Sequence, residues 1–121
     1  MRRKRQQRFR QKSAESLLRP QVAHAPDSLR ATMASYLEAL VVLNYSESTR
    51  DGRSKSLLVF ARWCEERGLK QPGEVTRPLL ERYQRHLFYL RKANGQPLSA
   101  RSQYHQLCVL KQYFRWLCRQ N

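Results

Sequence analysis

Apolar side chains recur at helical spacing in four separate stretches of the chain, and short polar breaks divide these stretches. The first stretch has Asp27 or Ser28 as its N-cap and runs to about Leu43, where Asn44 ends it. Spacings of three and four place its apolar residues on one face, namely Leu29, Met33, Tyr36, Leu37, Leu40 and Leu43. The pattern therefore predicts a first amphipathic helix.

The second stretch begins between Ser46 and Ser48 and ends at Arg67-Gly68, a C-terminal cation followed by a helix-stopping glycine. Ser48 together with Asp51 resembles a capping box in which Asp replaces Glu. The inward stripe of this second helix is predicted to contain Leu57, Phe60, Ala61 and Cys64.

The third stretch follows the turn at residues 71–73, with Thr76 as N-cap and Pro78 in the first turn. Its inward residues are predicted to be Leu79, Leu80, Tyr83, Leu87 and Leu90. After a second break at residues 93–97, the fourth helix has Ser99 as N-cap and runs to about Cys118. Its three-four stripe consists of Leu107, Leu110, Phe114 and Leu117.

No strand pattern competes with these helices. The short apolar runs at 41–43 and 57–60 each lie inside a longer helical period. Glycine and proline number only 4 and 5, which disfavours a turn-rich β fold. The sequence therefore predicts an all-α fold, a four-helix bundle over residues 27–121, preceded by an arm at residues 1–26.

Charge changes this picture more than any other property. The chain carries 24 lysines and arginines against 9 acids, a net charge of +15, which disfavours compaction unless an acidic partner neutralises it. Nucleic acid is the commonest such partner and an anionic membrane surface is the second candidate. Part of the charge lies in the arm, which is predicted to be disordered and to touch nucleic acid non-specifically through Arg2, Arg3, Lys4 and Arg5. A leader without a role is the alternative for this arm.

The folded part is basic in its own right. Glu81 is the last acid, so residues 82–121 contain eight basic residues and no carboxylate side chain. The outer face of the fourth helix carries Arg101, His105, Gln112, Arg115 and Arg119. Because exposed helices normally mix both signs, a helix of one sign indicates that the countercharge comes from outside.

Two helix starts are therefore candidate contacts with double-stranded DNA, since basic and short polar side chains there reach phosphates and base edges. The second helix offers Arg50, Arg53, Ser54 and Lys55. The fourth helix offers Arg101, Ser102, Tyr104, His105 and Lys111. The alternatives are a salt bridge from Arg53 to Glu47 or another carboxylate, and simple solvation of Arg101 and Lys111.

The sequence contains no recognisable catalytic motif. There is no glycine-rich phosphate loop and no evident set of Ser, His and acid, and the three cysteines form no Cys-x-x-Cys pair. We therefore expect no metal, no cofactor and no small-molecule substrate, with reduced thiols in the cytoplasm. No run of about 18 apolar residues exists, so no membrane span is expected. Tyr36 and Tyr83 lie on apolar stripes and are predicted to be core residues.

The ordered set of short motifs resembles the N-terminal core-binding, SAM-like domain of tyrosine recombinases, the Xer-type and phage-integrase enzymes. The residues that carry the resemblance are Ser46 to Thr49, then Leu57, Phe60 and Trp63, then Val75-Thr76, then Leu98-Ser99 with Ser102, and finally Tyr113 to Leu117. The resemblance implies that the helical bundle forms half of a clamp on a recombination half-site, with its second and fourth helices across the major groove.

The resemblance also implies that the catalytic tyrosine lies in a C-terminal domain beyond Asn121. This chain would then be a non-catalytic fragment or a lone binding domain, and the parent protein would be a recombinase that assembles as a tetramer on DNA. Two alternatives stay open: a helix-turn-helix regulator, although the breaks here exceed the three-to-four-residue turn of that motif, and a basic helical protein-interaction module.

Overall fold

The computed structural model describes residues 26–120, which form four α-helices and one short 3₁₀ turn. The helices are α1 Leu29–Val42, α2 Glu47–Glu65, α3 Arg77–Tyr89 and α4 Ala100–Arg119, and the 3₁₀ turn is Pro72–Glu74. The predicted all-α, four-helix fold is confirmed. The predicted basic arm, up to residue 25, lies outside the described residues.

Each helix begins at a hydroxyl side chain that accepts a hydrogen bond from a backbone N–H in the first turn. The N-caps are Ser28, Ser46, Thr76 and Ser99. The predicted capping box of Ser48 and Asp51 is wrong, because Ser46 Oγ accepts from the Thr49 N–H at 3.2 Å. The helix therefore starts earlier than that motif requires, and Ser48 lies within the first turn.

Aromatic rings from all four helices form the centre of the core, in which α4 packs against each of the other three. Phe60 of α2 lies 4.8 Å from Tyr83 of α3 and 6.3 Å from Phe114 of α4, in edge-to-face geometry. Tyr36 of α1 lies 5.7 Å from Tyr113 of α4. The predicted core positions of Tyr36 and Tyr83 are confirmed, since both rings are buried.

The buried stripe of α4 differs from the predicted one. Its most buried residues are Val109, Leu110 and Tyr113, whereas Leu107, Phe114 and Leu117 pack half-buried beside them. The reason is that α4 is covered on two sides. Tyr113 reaches α1, where its hydroxyl lies 2.6 Å from Thr32 Oγ1, while Phe114 and Leu107 share an apolar pocket with Leu80 of α3.

Candidate nucleic-acid interface

The side of α4 that faces away from the core is a continuous polar and basic surface. Its exposed members, spaced at helical intervals, are Arg101, Tyr104, His105, Lys111, Gln112, Arg115 and Arg119. We call this set the α4 outer face. Within residues 26–120 the ion pairs all lie elsewhere, on α1, α2, α3 and the segment after α2. The cations of the α4 outer face are therefore not neutralised by a carboxylate in this part of the chain.

The start of α4 adds polar groups next to this face. Ser99 Oγ accepts from the Ser102 N–H at 3.1 Å and lies 3.0 Å from the Ser102 hydroxyl. The capping interaction fixes the first turn, where backbone N–H groups and the positive end of the helix dipole favour an anion. The exposed hydroxyl of Ser102 and the guanidinium of Arg101 stand at this end of the helix.

Tyr104 is the most exposed aromatic residue of the α4 outer face, at 71% of its full accessible surface. Hydrogen bonding to the thiol of Cys108, one turn further along α4, raises the pKa of Tyr104 above its ordinary value. The phenol is therefore neutral at physiological pH and can donate a hydrogen bond to a phosphate oxygen, as the other hydroxyl groups at protein–DNA interfaces do.

The start of α2 is arranged differently from the start of α4. Arg53 is half-buried between two rings: its Nη1 donates to the Tyr36 hydroxyl at 2.8 Å, and its guanidinium lies 4.8 Å from the centre of the Tyr45 ring. Ser54 is 1% exposed and its hydroxyl donates to the Asp51 carbonyl at 2.8 Å. A duplex on the surface cannot reach Ser54, so this residue does not belong to the candidate interface.

Arg50 and Lys55 lie on different sides of α2. Arg50 is half-buried, and its Nε is buried without a hydrogen-bond partner among the described residues. Lys55 lies on the solvent side and forms an ion pair of 2.9 Å with Asp51, one turn earlier. The four α2 residues predicted as DNA contacts therefore do not share an exposed face. Of the five predicted on α4, four belong to the α4 outer face, and Ser102 is exposed beside it in the first turn.

The difference has a signal in the sequence. Positions 50, 53 and 54 precede Leu57 by seven, four and three residues, so they extend the inward stripe of α2 toward the N-terminus, before its first apolar side chain. The exposed basic positions of α2 are instead Lys55 and Arg62. A second basic surface, between α2 and α3, was not predicted from the sequence.

Other classes of site find no residues in the part of the chain that the structure covers. Within residues 26–120 no group of three or more His, Cys, Asp and Glu side chains is placed to hold a metal ion. The three cysteines, Cys64, Cys108 and Cys118, are free thiols. Of the helices described, none is long and apolar enough to cross a membrane.

The bundle and its basic fourth helix agree with the comparison with known families. Residues 32–121 match the family described as phage integrase, N-terminal SAM-like domain, and the chain belongs to this family. A curated relative, Tyrosine recombinase XerC 2 from Ralstonia nicotianae (strain ATCC BAA-1114 / GMI1000), is 54% identical over 89 residues. The match covers 74% of this chain and 26% of the relative, so the chain spans about a quarter of that protein's length. No solved structure gives a significant match.

Proposed function

We propose that this chain is the DNA-binding part of a site-specific tyrosine recombinase and that it contacts double-stranded DNA chiefly through the α4 outer face. The observation that carries the proposal is the row of exposed cations on α4 that has no carboxylate partner within residues 26–120. In a chain of net charge +15 such a row repels itself, and bound phosphates with released counterions remove that repulsion.

Within this interface the residues have different tasks. Arg101 and Ser102 at the helix start, with Lys111 further along, hold the backbone phosphates that set the position of the domain. Tyr104 and His105, one turn after Arg101 in the exposed row, are placed for base edges or for further phosphates. From α2, Arg50 and Lys55 contribute at the margin, whereas Arg53 acts through Tyr36 and Tyr45 by holding α1 and the connection after it against α2.

The whole protein, by its likeness to the relative named a tyrosine recombinase, is proposed to break and rejoin DNA strands and to assemble on its DNA as a tetramer. Residues 26–120 contribute recognition to this activity rather than chemistry, and the protein acts in the cytoplasm, where its DNA is. The basic arm at the start of the chain adds non-specific affinity for the same duplex.

The proposal is tested with the triple variant Arg101→Gln, Lys111→Gln and Arg115→Gln, titrated against a short duplex over a range of salt concentrations. Each lost phosphate contact lowers the slope of log affinity against log salt by about one, so the slope falls by about two to three. The matched control removes the same charge elsewhere, with Arg62→Gln, Lys70→Gln and Arg77→Gln, which are all exposed.

Both triple variants remove three positive charges, so a difference between them reports where the charge lies rather than how much of it is lost. We expect the control to keep the slope within about one of the wild-type value. Equal losses in the two triple variants would mean that only net charge matters and would contradict an interface on α4. Tight binding to an acidic protein with a flat salt response to duplex would favour the protein-interaction alternative.

A further inference from the structure

A second basic surface lies in a shallow groove between the end of α2 and the outer side of α3. The groove has a volume of about 380 Å³ and is lined by Trp63, Arg67, Arg82, Arg85, His86 and Tyr89. None of these residues belongs to α4, and no carboxylate lines the groove. This surface is therefore separate from the α4 outer face.

Three guanidinium groups give the groove its charge. Arg82 and Arg85 are exposed and form no ion pair or side-chain hydrogen bond within residues 26–120. Arg67 is held in place, because its guanidinium lies 4.0 Å from the centre of the Trp63 ring and Nη1 donates to the Trp63 carbonyl at 2.9 Å. Its carboxylate neighbour Glu66 lies 3.8 Å away with a side chain 75% exposed, so the charge of Arg67 is only weakly compensated.

An exposed aromatic ring stands beside these cations. Tyr89 is 70% exposed, and Phe88 packs edge-on against it with ring centres 5.1 Å apart. On the inner side, His86 stacks over Tyr83 at 5.9 Å. Trp63 Nε1 is buried without a hydrogen-bond partner among the described residues. Guanidinium groups next to an accessible ring are the combination that binds a phosphate and a stacked base together.

We propose that this groove binds one unpaired nucleotide, with its phosphate between Arg82 and Arg85 and its base on the Tyr89 ring. Paired bases of a duplex are already stacked and cannot lie on this ring, so the ligand is a nucleoside monophosphate unit. Such a unit is either free in solution or part of a single strand. The site is independent of the α4 outer face, so the protein can hold an unpaired strand while a duplex occupies α4.

The test uses tryptophan fluorescence in a Trp116→Phe background, where Trp63 in the groove is the only tryptophan left. The probes are inorganic phosphate, thymidine monophosphate, oligothymidylate and a polyglutamate peptide, all at the same ionic strength. We expect the mononucleotide to bind more tightly than inorganic phosphate by at least about fivefold, because of stacking. Oligothymidylate is expected to bind at least as tightly as the mononucleotide.

Variants assign the two parts of the site. The pair Arg82→Gln and Arg85→Gln should weaken nucleotide binding by at least about tenfold, as the loss of charge-assisted hydrogen bonds requires. Tyr89→Ala should remove the advantage of the mononucleotide over phosphate while leaving phosphate binding unchanged. Arg115→Gln, on the α4 outer face, is the control and should leave the fluorescence titration unchanged.

The outcomes separate this proposal from the proposed function. Duplex affinity should stay within about twofold in the Arg82 and Arg85 pair, since the duplex uses α4. Binding of oligothymidylate without binding of the mononucleotide supports the site with a strand as its source, and binding of both supports either source. Equal binding of phosphate, nucleotide and polyglutamate, or unchanged nucleotide binding in the Arg82 and Arg85 pair, overturns the proposal whether or not α4 binds a duplex.

Discussion

Arg53 is the clearest case in which one side chain serves the fold although its charge suggests a ligand. Its guanidinium donates to the Tyr36 hydroxyl at 2.8 Å and lies over the Tyr45 ring at 4.8 Å, which connects α2 to the middle of α1 and to the segment between the two helices. Burial raises the pKa of Tyr36, while the Arg53 charge acts in the opposite direction. The hydroxyl therefore stays neutral at physiological pH and accepts the hydrogen bond from Arg53.

Replacing Arg53 with methionine should therefore cost more free energy of unfolding than free energy of duplex binding. The change leaves the largely buried Tyr36 hydroxyl without this partner, which costs about 1–2 kcal/mol and lowers Tm by about 4–16 °C for a domain of this size. Arg62→Met is the matched control on the exposed side of α2 and should leave Tm nearly unchanged. Thermal unfolding of both variants by circular dichroism measures the difference.

This role of Arg53 could be anticipated only in part from the sequence. The helical period places residue 53 on the inward side of α2, together with Ser54 and Leu57. Its partners Tyr36 and Tyr45 could not be predicted, because they come from α1 and the connection after it and meet Arg53 only once the helices have packed. Equal losses of Tm in Arg53→Met and Arg62→Met would contradict the structural role.

At the scale of the elements, the helix starts depend on single hydroxyl groups. Ser46 Oγ accepts from the Thr49 N–H at 3.2 Å and donates to the Thr49 hydroxyl at 2.9 Å. The Thr49 N–H and the Ser46 hydroxyl therefore both have hydrogen-bond partners at the start of α2. Ser48 is exposed inside the first turn. The two serines are two residues apart, and only the first caps the helix.

Ser46→Ala should destabilise the domain by about 1 kcal/mol, since an N-cap hydroxyl is lost, whereas Ser48→Ala should be neutral or slightly stabilising. Urea unfolding of the two variants gives the comparison, with equal m-values as the sign that the folded state is otherwise the same. A larger loss of unfolding free energy from Ser48→Ala than from Ser46→Ala would favour the capping box of Ser48 with Asp51 and contradict the N-cap at Ser46.

The elements themselves were largely predictable, and the reason is that their signals are local. The spacing of apolar residues and the hydroxyl N-caps predicted the four helices, and the same helical period predicted which residues form the outer face of α4. The buried stripe of α4 was predicted too narrowly, because Tyr113 becomes buried only through its contact with Thr32 of α1. The groove beside Tyr89 could not be predicted either, because it needs the end of α2 to lie against α3.

At the scale of the whole molecule, the core contains titratable groups that the fold holds in their neutral form. Burial raises the pKa of Tyr113 to about 12 and that of the Cys64 thiol to about 12, from ordinary values of 10.0 and 9.0. Burial also raises the pKa of Tyr83 well above its ordinary value. At a pH above the ordinary pKa values of these groups, the folded chain therefore binds more protons than the unfolded chain does.

Stability should therefore be fully present below about pH 9 and should fall as the pH rises toward 12, because the unfolded chain releases these protons first. Thermal unfolding at a series of alkaline pH values measures the decline. Tyr113→Phe should lower Tm at neutral pH, since the hydrogen bond between the Tyr113 hydroxyl and Thr32 Oγ1 is lost, but it should make the alkaline decline shallower. An alkaline decline as steep as that of the wild type would show that the buried Tyr113 hydroxyl does not contribute to it.

In the proposed arrangement of the whole molecule, a duplex lies on one side of the bundle, against α4, and the groove between α2 and α3 takes a different ligand. Nuclear magnetic resonance of the ¹⁵N-labelled protein, titrated with a short duplex, tests this placement most directly. The largest amide shifts should follow the α4 outer face, from Arg101 through His105 and Lys111 to Arg115, with small changes at Arg82, Arg85 and Tyr89. Largest shifts at the groove or on α1, with α4 unmoved, would contradict the account.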